Sequence, residues 1–163
     1  MFNFLKATTL KKDHLKGTAK LLFQDVSEDA WDRENLTKEK LDFTMDSLRY
    51  IDQYAVNLLN TENGTQLLSK HFENFSSRIG AYIGEVIKST IQQDFHWYEF
   101  ESIYKLTTKL DDFDGDDEKQ SLLFSKKKDA IILPLLETSQ FLKGESSYLT
   151  LVNYAEEMVN RNA

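Results

Sequence analysis

A long amphipathic pattern in the middle of the chain constrains the fold more than any other feature. Between residues 65 and 91, apolar residues recur on one helix face: Leu68, Phe72, Phe75, Ile79, Ile83 and Val86. Gly80 and Gly84 lie inside this predicted helix, and each costs about 1 kcal/mol of helix propensity relative to alanine. Because that cost needs compensation, we expect another helix or the sheet to contact the helix backbone closely at these glycines.

The chain before this helix is also predicted to be helical. The first helix has an apolar face made of Leu10, Leu15, Ala19, Leu22 and Phe23. Residues 27–29 start a short turn or helix that carries Trp31. Thr37 is a candidate cap for the next helix, and the Asn63-Gly64 pair is predicted to end it.

The second half of the chain favours strands. Residues 95–100 are rich in aromatic side chains and predict a first strand, which residues 103–106 continue or follow with another. Further strands are predicted at residues 121–124 and 130–133. The latter ends at Pro134, which cannot donate to a ladder.

Two helices are predicted to complete the chain. Pro134 suits the first position of a short helix that ends before Gly144. The last helix is capped by Ser146 or Ser147, and its apolar residues are Leu149, Val152, Ala155 and Val159. This order predicts an α+β fold with N-terminal helices, a small antiparallel sheet that has helices on one face, and a C-terminal helix. Because no low-complexity linker occurs, we expect residues 1–163 to form a single domain.

Composition and charge narrow the class of protein. Hydrophobic residues make up 40% of the chain, and no cysteine is present for a disulfide or a thiolate metal site. The 27 acidic side chains outnumber the 20 basic ones, which disfavours nucleic acid as a partner and permits a basic protein. The sequence has neither a signal-peptide pattern nor an apolar run of about 18 residues. We therefore expect a cytoplasmic protein that does not enter a membrane.

An acidic segment lies between the predicted strands. Its six carboxylates are those of Asp111, Asp112, Asp114, Asp116, Asp117 and Glu118. An EF-hand loop with Gly115 in sixth place would have Leu110 first and Ser121 twelfth, neither of which suits calcium. We therefore interpret the acidic segment as a solvated tip, a weak cation site or the contact surface for a basic partner.

Motifs typical of catalytic and cofactor sites do not occur in the sequence. His14, His71 and His96 lack the spacing of metal ligands on a helix. No phosphate-binding glycine loop and no nucleophile elbow is present. We therefore predict no metal, no cofactor and no catalytic residues.

Glu85 allows two interpretations, because a carboxylate on a half-buried helix needs a partner. In the first, it makes a structural salt bridge or hydrogen bond to Arg78, Tyr82 or the sheet backbone. In the second, a polar pocket lies at the helix–sheet junction and binds a small molecule or holds a general acid–base carboxylate. The candidate residues of that pocket are Arg78, Tyr82, Glu85, His96 and Trp97.

The same region carries a resemblance to a known group of domains. The helix motif Gly80-Ala81-Tyr82-Ile83-Gly84-Glu85, the aromatic strand with Trp97 and the apolar strand leading into Pro134-Leu135 resemble uncharacterised bacterial domains. The likeness spans about half of the chain and also includes residues 141–144 and 148–149. It implies a small cytosolic α+β protein of a group that includes immunity-type proteins, which neutralise bacterial toxins.

This resemblance brings no catalytic residues with it. Together with the acidic surface, it predicts a non-catalytic protein-interaction module. A small-molecule-binding protein or an enzyme with a pocket around Glu85 is the alternative.

Overall fold

The computed structural model describes residues 15–24, 30–107, 110 and 120–163. The helices before the sheet are α1 (Lys16–Gln24), α2 (Ala30–Asn35), α3 (Leu48–Asn60), α4 (Glu62–Lys70) and α5 (Phe72–Ile91). The second half holds β1 (Phe95–Tyr98), α6 (Phe100–Tyr104), β2 (Leu122–Ser125), β3 (Ala130–Ile132), α7 (Pro134–Leu142) and α8 (Leu151–Asn162). The predicted α+β order of helices, a small sheet and a C-terminal helix is confirmed.

The three strands form an antiparallel sheet in the order β1-β2-β3. Trp97 is paired with Leu123, and Leu123 with Ile132, in one row across the sheet. This row belongs to the main core, which the sheet shares with α5. Tyr98 and Leu122 belong to a second apolar cluster, which also includes residues of α6. Because side chains alternate along a strand, the two clusters lie on opposite faces of the sheet.

The helix α6 corrects two expectations about the sheet. Residues 103–106 were predicted to be a strand, yet Ile103 lies in α6 and Leu106 follows it in a turn. Both Phe100 and Ile103 of this helix are buried in the second apolar cluster. A short apolar run fits a strand or a buried helix equally well, so its periodicity did not decide between them. The sheet therefore has helices on both faces rather than on one.

The junction between α3 and α4 explains why Asn63-Gly64 does not end a helix as predicted. Thr61 caps α4 by accepting a hydrogen bond from the N–H of Gly64 at 3.0 Å. A Cβ atom on Gly64 would lie 2.5 Å from the carbonyl oxygen of Asn57 and 2.8 Å from Cα of Leu58. The glycine therefore allows the first turn of α4 to pack against the end of α3.

Other predicted boundaries shift in the structure. The predicted helix at residues 65–91 is interrupted at His71, so that α4 and α5 are separate helices. Thr37 precedes a short 3-10 turn, Lys38–Lys40, instead of α3. The last helix is capped by Thr150 rather than by Ser146 or Ser147. The predicted helix start near Leu10, residues 27–29 and the acidic segment lie outside the described residues.

The central helix α5 packs against α1, α7 and α8. Its fully buried side chains include Ile79, Tyr82 and Ile83. No helix in the described part of the chain is both long and apolar enough to cross a bilayer.

Candidate functional site

The glycines of α5 allow two neighbouring elements to approach its backbone. A Cβ atom on Gly80 would lie 2.6 Å from Cδ2 and 3.0 Å from Cα of Leu135, at the start of α7. A Cβ atom on Gly84 would lie 2.3 Å from Cζ2 and Cη2 of Trp97 and 3.2 Å from Cγ of Pro134. Such distances leave no room for a methyl group. The predicted close contacts at Gly80 and Gly84 are therefore confirmed.

Trp97 and Glu85 form a buried hydrogen bond. The indole Nε1–H of Trp97 donates to Oε2 of Glu85 at 2.7 Å. The ammonium group of Lys88 lies 3.3 Å from the same oxygen. Since Glu85 is only 7% exposed and Trp97 only 2%, these partners offset the cost of burying the carboxylate.

The partners of Glu85 differ from those expected. The structural interpretation named Arg78, Tyr82 or the sheet backbone, whereas the observed partners are an indole side chain from β1 and a lysine one turn along α5. Gly84 explains the difference. Without a side chain there, the indole lies across the helix and its N–H reaches the carboxylate of the next residue.

Tyr82 belongs to a different contact network. Its hydroxyl accepts a hydrogen bond from the N–H of Phe43 at 2.9 Å and lies 2.8 Å from Oγ of Ser47. Because the Ser47 hydroxyl donates to the carbonyl of Thr44, the Tyr82 hydroxyl donates to Ser47. Burial raises the pKa of Tyr82, which keeps the hydroxyl protonated for this role. Tyr82 therefore holds the segment before α3 against α5.

Phe43 shows what this network stabilises. Its backbone φ of 62° lies in the left-handed region, which costs an aromatic residue about 1–2 kcal/mol. The Phe43 ring stacks on Tyr82 with centroids 4.7 Å apart, and its N–H is bound by the same side chain. The aromatic contact and the hydrogen bond together offset the strained conformation.

The five predicted pocket residues do not line one opening. Glu85 and Trp97 meet, but the hydroxyl of Tyr82 contacts the segment before α3. His96 is exposed and, because side chains alternate along β1, lies on the opposite face of the sheet from Trp97. Arg78 is half-buried one turn before Tyr82 on α5. The junction is filled by side chains that contact one another.

A surface cavity of about 750 Å³ lies elsewhere, between α2 and α4. Its lining residues are Trp31, Glu34, Asn63, Thr65, Gln66, Leu67, Ser69 and Lys70. Trp31 and Leu67 supply its apolar part, and most of the polar lining side chains are exposed. Sequence reasoning missed this cavity because the helices that form it were assigned incorrect boundaries.

No group of three His, Asp or Glu side chains in the described ranges is arranged to hold a metal ion. The chain matches no protein-family model, no curated protein and no solved structure.

Replacing Tyr82 with phenylalanine is expected to lower the free energy of unfolding by about 2 kcal/mol. The substitution removes the acceptor for the part-buried N–H of Phe43 and the donor to Ser47. Urea unfolding followed by circular dichroism measures the change. Tyr104→Phe is the matched control, because Tyr104 is 43% exposed and its loss of a hydroxyl should change stability by less than about 0.5 kcal/mol. Equal effects of both substitutions would contradict the role given to Tyr82.

Proposed function

We propose that this chain is a non-catalytic protein-interaction module whose acidic segment, residues 111–118, binds a basic protein partner. Its relation to immunity-type proteins comes from the resemblance of the α5 motif, Gly80 to Glu85, to bacterial domains of that kind. Such a module acts by occupying a surface of its target, so it needs a rigid base and a charged contact surface.

The packing around Glu85 is the observation that carries this proposal. A general acid–base carboxylate or a ligand-binding carboxylate must reach its substrate. Glu85 is 7% exposed, and its Oε2 is bound by Trp97 and Lys88. These contacts support a structural role for the residue that was the strongest candidate for chemistry.

Both ends of the acidic segment are attached to a packed part of the fold. Leu110 directly precedes the segment and is 1% exposed, and Leu122 follows it at the start of β2 in the same apolar cluster. The side chain of Thr107 donates a hydrogen bond to Asp129 at the turn after β2. These contacts fix the chain on both sides of the acidic segment, which supports its proposed role as a contact surface.

The charge of the chain supports a basic partner over an acidic one. With a net charge of −7, the protein repels polyanions, and complementary charge accelerates association with a basic surface. Much of this attraction is screened at high salt, where the Debye length falls to about 3 Å at 1 M. The proposed complex should therefore be sensitive to ionic strength.

Neutralising the acidic segment is expected to weaken partner capture at least about tenfold, because it removes six negative charges from one contact surface. The variant changes each Asp to Asn and Glu118 to Gln. The measurement is affinity capture from the native host at low and at high salt, with bound proteins quantified by mass spectrometry. We expect wild type to retain one near-stoichiometric basic partner at low salt and to lose it at high salt.

A control variant with the same net charge separates local contact from overall charge. It changes six exposed glutamates elsewhere to glutamine: Glu39, Glu62, Glu73, Glu99, Glu101 and Glu156. We expect this variant to capture the partner nearly as well as wild type. Equal loss in both variants would contradict a specific role for the acidic segment. Absence of any partner at either salt concentration would contradict the interaction proposal as a whole.

A further inference from the structure

The connection between α7 and α8 presents an unusually exposed leucine. Leu149 is 88% exposed, more than any other large apolar side chain in the described residues. Single exposed apolar residues are ordinary on protein surfaces, so exposure alone does not indicate a function. The distinguishing feature of Leu149 is that the backbone on both sides of it is fixed by hydrogen bonds from three helices.

The chain before Leu149 is held by two glutamates. Glu137 of α7 accepts a hydrogen bond from the hydroxyl of Ser146, whose oxygen in turn accepts the N–H of Tyr148 at 3.0 Å. Glu157 of α8 accepts a hydrogen bond from the hydroxyl of Tyr148. The residue directly before Leu149 is therefore bound through both its backbone and its side chain.

The chain after Leu149 is held by Asp52 of α3. Its two carboxylate oxygens accept the N–H groups of Leu151 at 2.7 Å and Val152 at 3.0 Å. The side chain of Thr150 caps the same helix by accepting the N–H of Asn153 at 3.0 Å. The backbone on this side of Leu149 is thus fixed to α3 and capped at the start of its own helix, α8.

These contacts make Leu149 a pre-organised anchor. Ordering a flexible loop on binding costs free energy, and a loop that is already fixed avoids most of that cost. Interfaces concentrate their affinity in a few side chains that enter apolar pockets of the partner. A largely exposed leucine on a fixed backbone has the geometry of such a side chain.

The charges around this anchor indicate the kind of partner. Three carboxylates hold the loop: those of Glu137, Glu157 and Asp52. The loop itself carries a fourth, the exposed Glu145. Arg161 pairs with Glu157. The same connection carries the exposed Lys143, so four carboxylates outnumber two basic side chains among the residues that form or hold this loop. A second copy of this chain would bring like charges together, whereas lysine or arginine side chains around an apolar pocket would complement them.

We propose that Leu149 inserts into an apolar pocket with a basic rim on the protein partner. The inference rests on the proposed function, because the same partner would contact both the acidic segment and Leu149. It adds an apolar contact, which is insensitive to salt, to the electrostatic one.

The test uses the full chain with a photo-crosslinking amino acid, benzoylphenylalanine, in place of Leu149 or, as a control, of Leu21. Leu21 of α1 is 42% exposed and lies far along the sequence from the loop. The protein crosslinked at position 149 is identified and purified, and its Kd is measured for wild type, Leu149→Ala, Leu149→Met and Leu21→Ala. The urea midpoint of each variant checks that folding is unchanged.

We expect a crosslink at position 149 but not at 21, a Kd weakened at least about tenfold by Leu149→Ala, and near wild-type binding of Leu149→Met and Leu21→Ala. A Leu149→Ala Kd within threefold of wild type, or no crosslink at position 149, would overturn the inference.

The variant with a neutralised acidic segment separates the two proposals. If it binds weakly while Leu149→Ala binds normally, the proposed function stands and the inference about Leu149 fails. If neither substitution weakens binding, both fail.

Discussion

The Gly84→Ala variant is expected to lose about 3 kcal/mol of folding stability. The added methyl group would lie 2.3 Å from two atoms of the Trp97 ring, which is 2% exposed and hydrogen-bonded to Glu85. A flexible side chain would move aside at little cost, but this indole is fixed by the core and by its own N–H. The overlap therefore forces a shift of α5 against β1. Urea unfolding measures the loss.

Gly17→Ala is the matched control for this prediction. Gly17 lies in α1, and nothing lies within 4 Å of the position that its Cβ atom would occupy. The same substitution there should raise stability by up to about 1 kcal/mol, because alanine favours a helix over glycine. Opposite signs at the two glycines would separate close packing from helix propensity. A gain in stability at Gly84 would contradict the contact described here.

The Trp97→Ala variant is expected to lose about 4 kcal/mol of folding stability. Trp97 joins β1 to α5 in the main core, so its removal leaves a cavity beside Gly84. It also deprives the buried carboxylate of Glu85 of its closest donor. Thermal and urea unfolding, with calorimetric enthalpy as a check on two-state behaviour, measure the loss.

The Trp97→Phe variant is a smaller truncation at the same position, because it loses part of the ring together with the N–H donor. In the Trp97→Phe variant, an aromatic ring remains but the N–H donor is lost, so we expect about half of the loss seen for alanine. Tyr104→Ala, at a residue that is 43% exposed, should cost less than about 1 kcal/mol. A Trp97→Ala effect as small as that of Tyr104→Ala would show that the indole does not join the two elements.

Part of this arrangement was predictable from the sequence. The cost of two glycines inside a strong amphipathic helix implied close neighbours, and the structure places Leu135 at Gly80 and Trp97 at Gly84. The sequence does not encode which element approaches each glycine, because that depends on how distant segments pack. The prediction for Pro134 at the start of a short helix is confirmed, since its fixed φ and missing N–H are local properties.

The failures have a common physical origin in tertiary contact. Gly64 is a residue type typical of a helix stop, but its role here is steric. A side chain at this position would overlap with Asn57 and Leu58. Leu149 was predicted to be one of the apolar residues of the last helix. The helix instead starts at Leu151, where Asp52 accepts the first N–H groups. A carboxylate from a helix about 100 residues earlier in the chain cannot be recognised as a cap from local sequence.

The motif in α5 thus connects the parts of the fold that bear on the proposed function. Gly80 allows the start of α7 to pack closely against α5. The helix α7 carries Glu137, which fixes the loop that contains Leu149. Gly84 leaves space for Trp97 of β1, and Glu85 accepts its hydrogen bond. The strand β1 pairs with β2, which follows the acidic segment in the sequence. The motif acts as a packing element that contacts β1 and the start of α7.

A double-mutant cycle between Gly84 and Trp97 tests this central claim most directly. The free energy of unfolding is measured for wild type, Gly84→Ala, Trp97→Phe and the double variant, since Trp97→Phe removes the ring atoms that the alanine methyl would meet. We predict that Gly84→Ala costs about 3 kcal/mol in the wild-type background but less than about 0.5 kcal/mol beside Phe at position 97. An equal cost in both backgrounds would contradict the claim that Gly84 leaves the space in which the Trp97 indole packs.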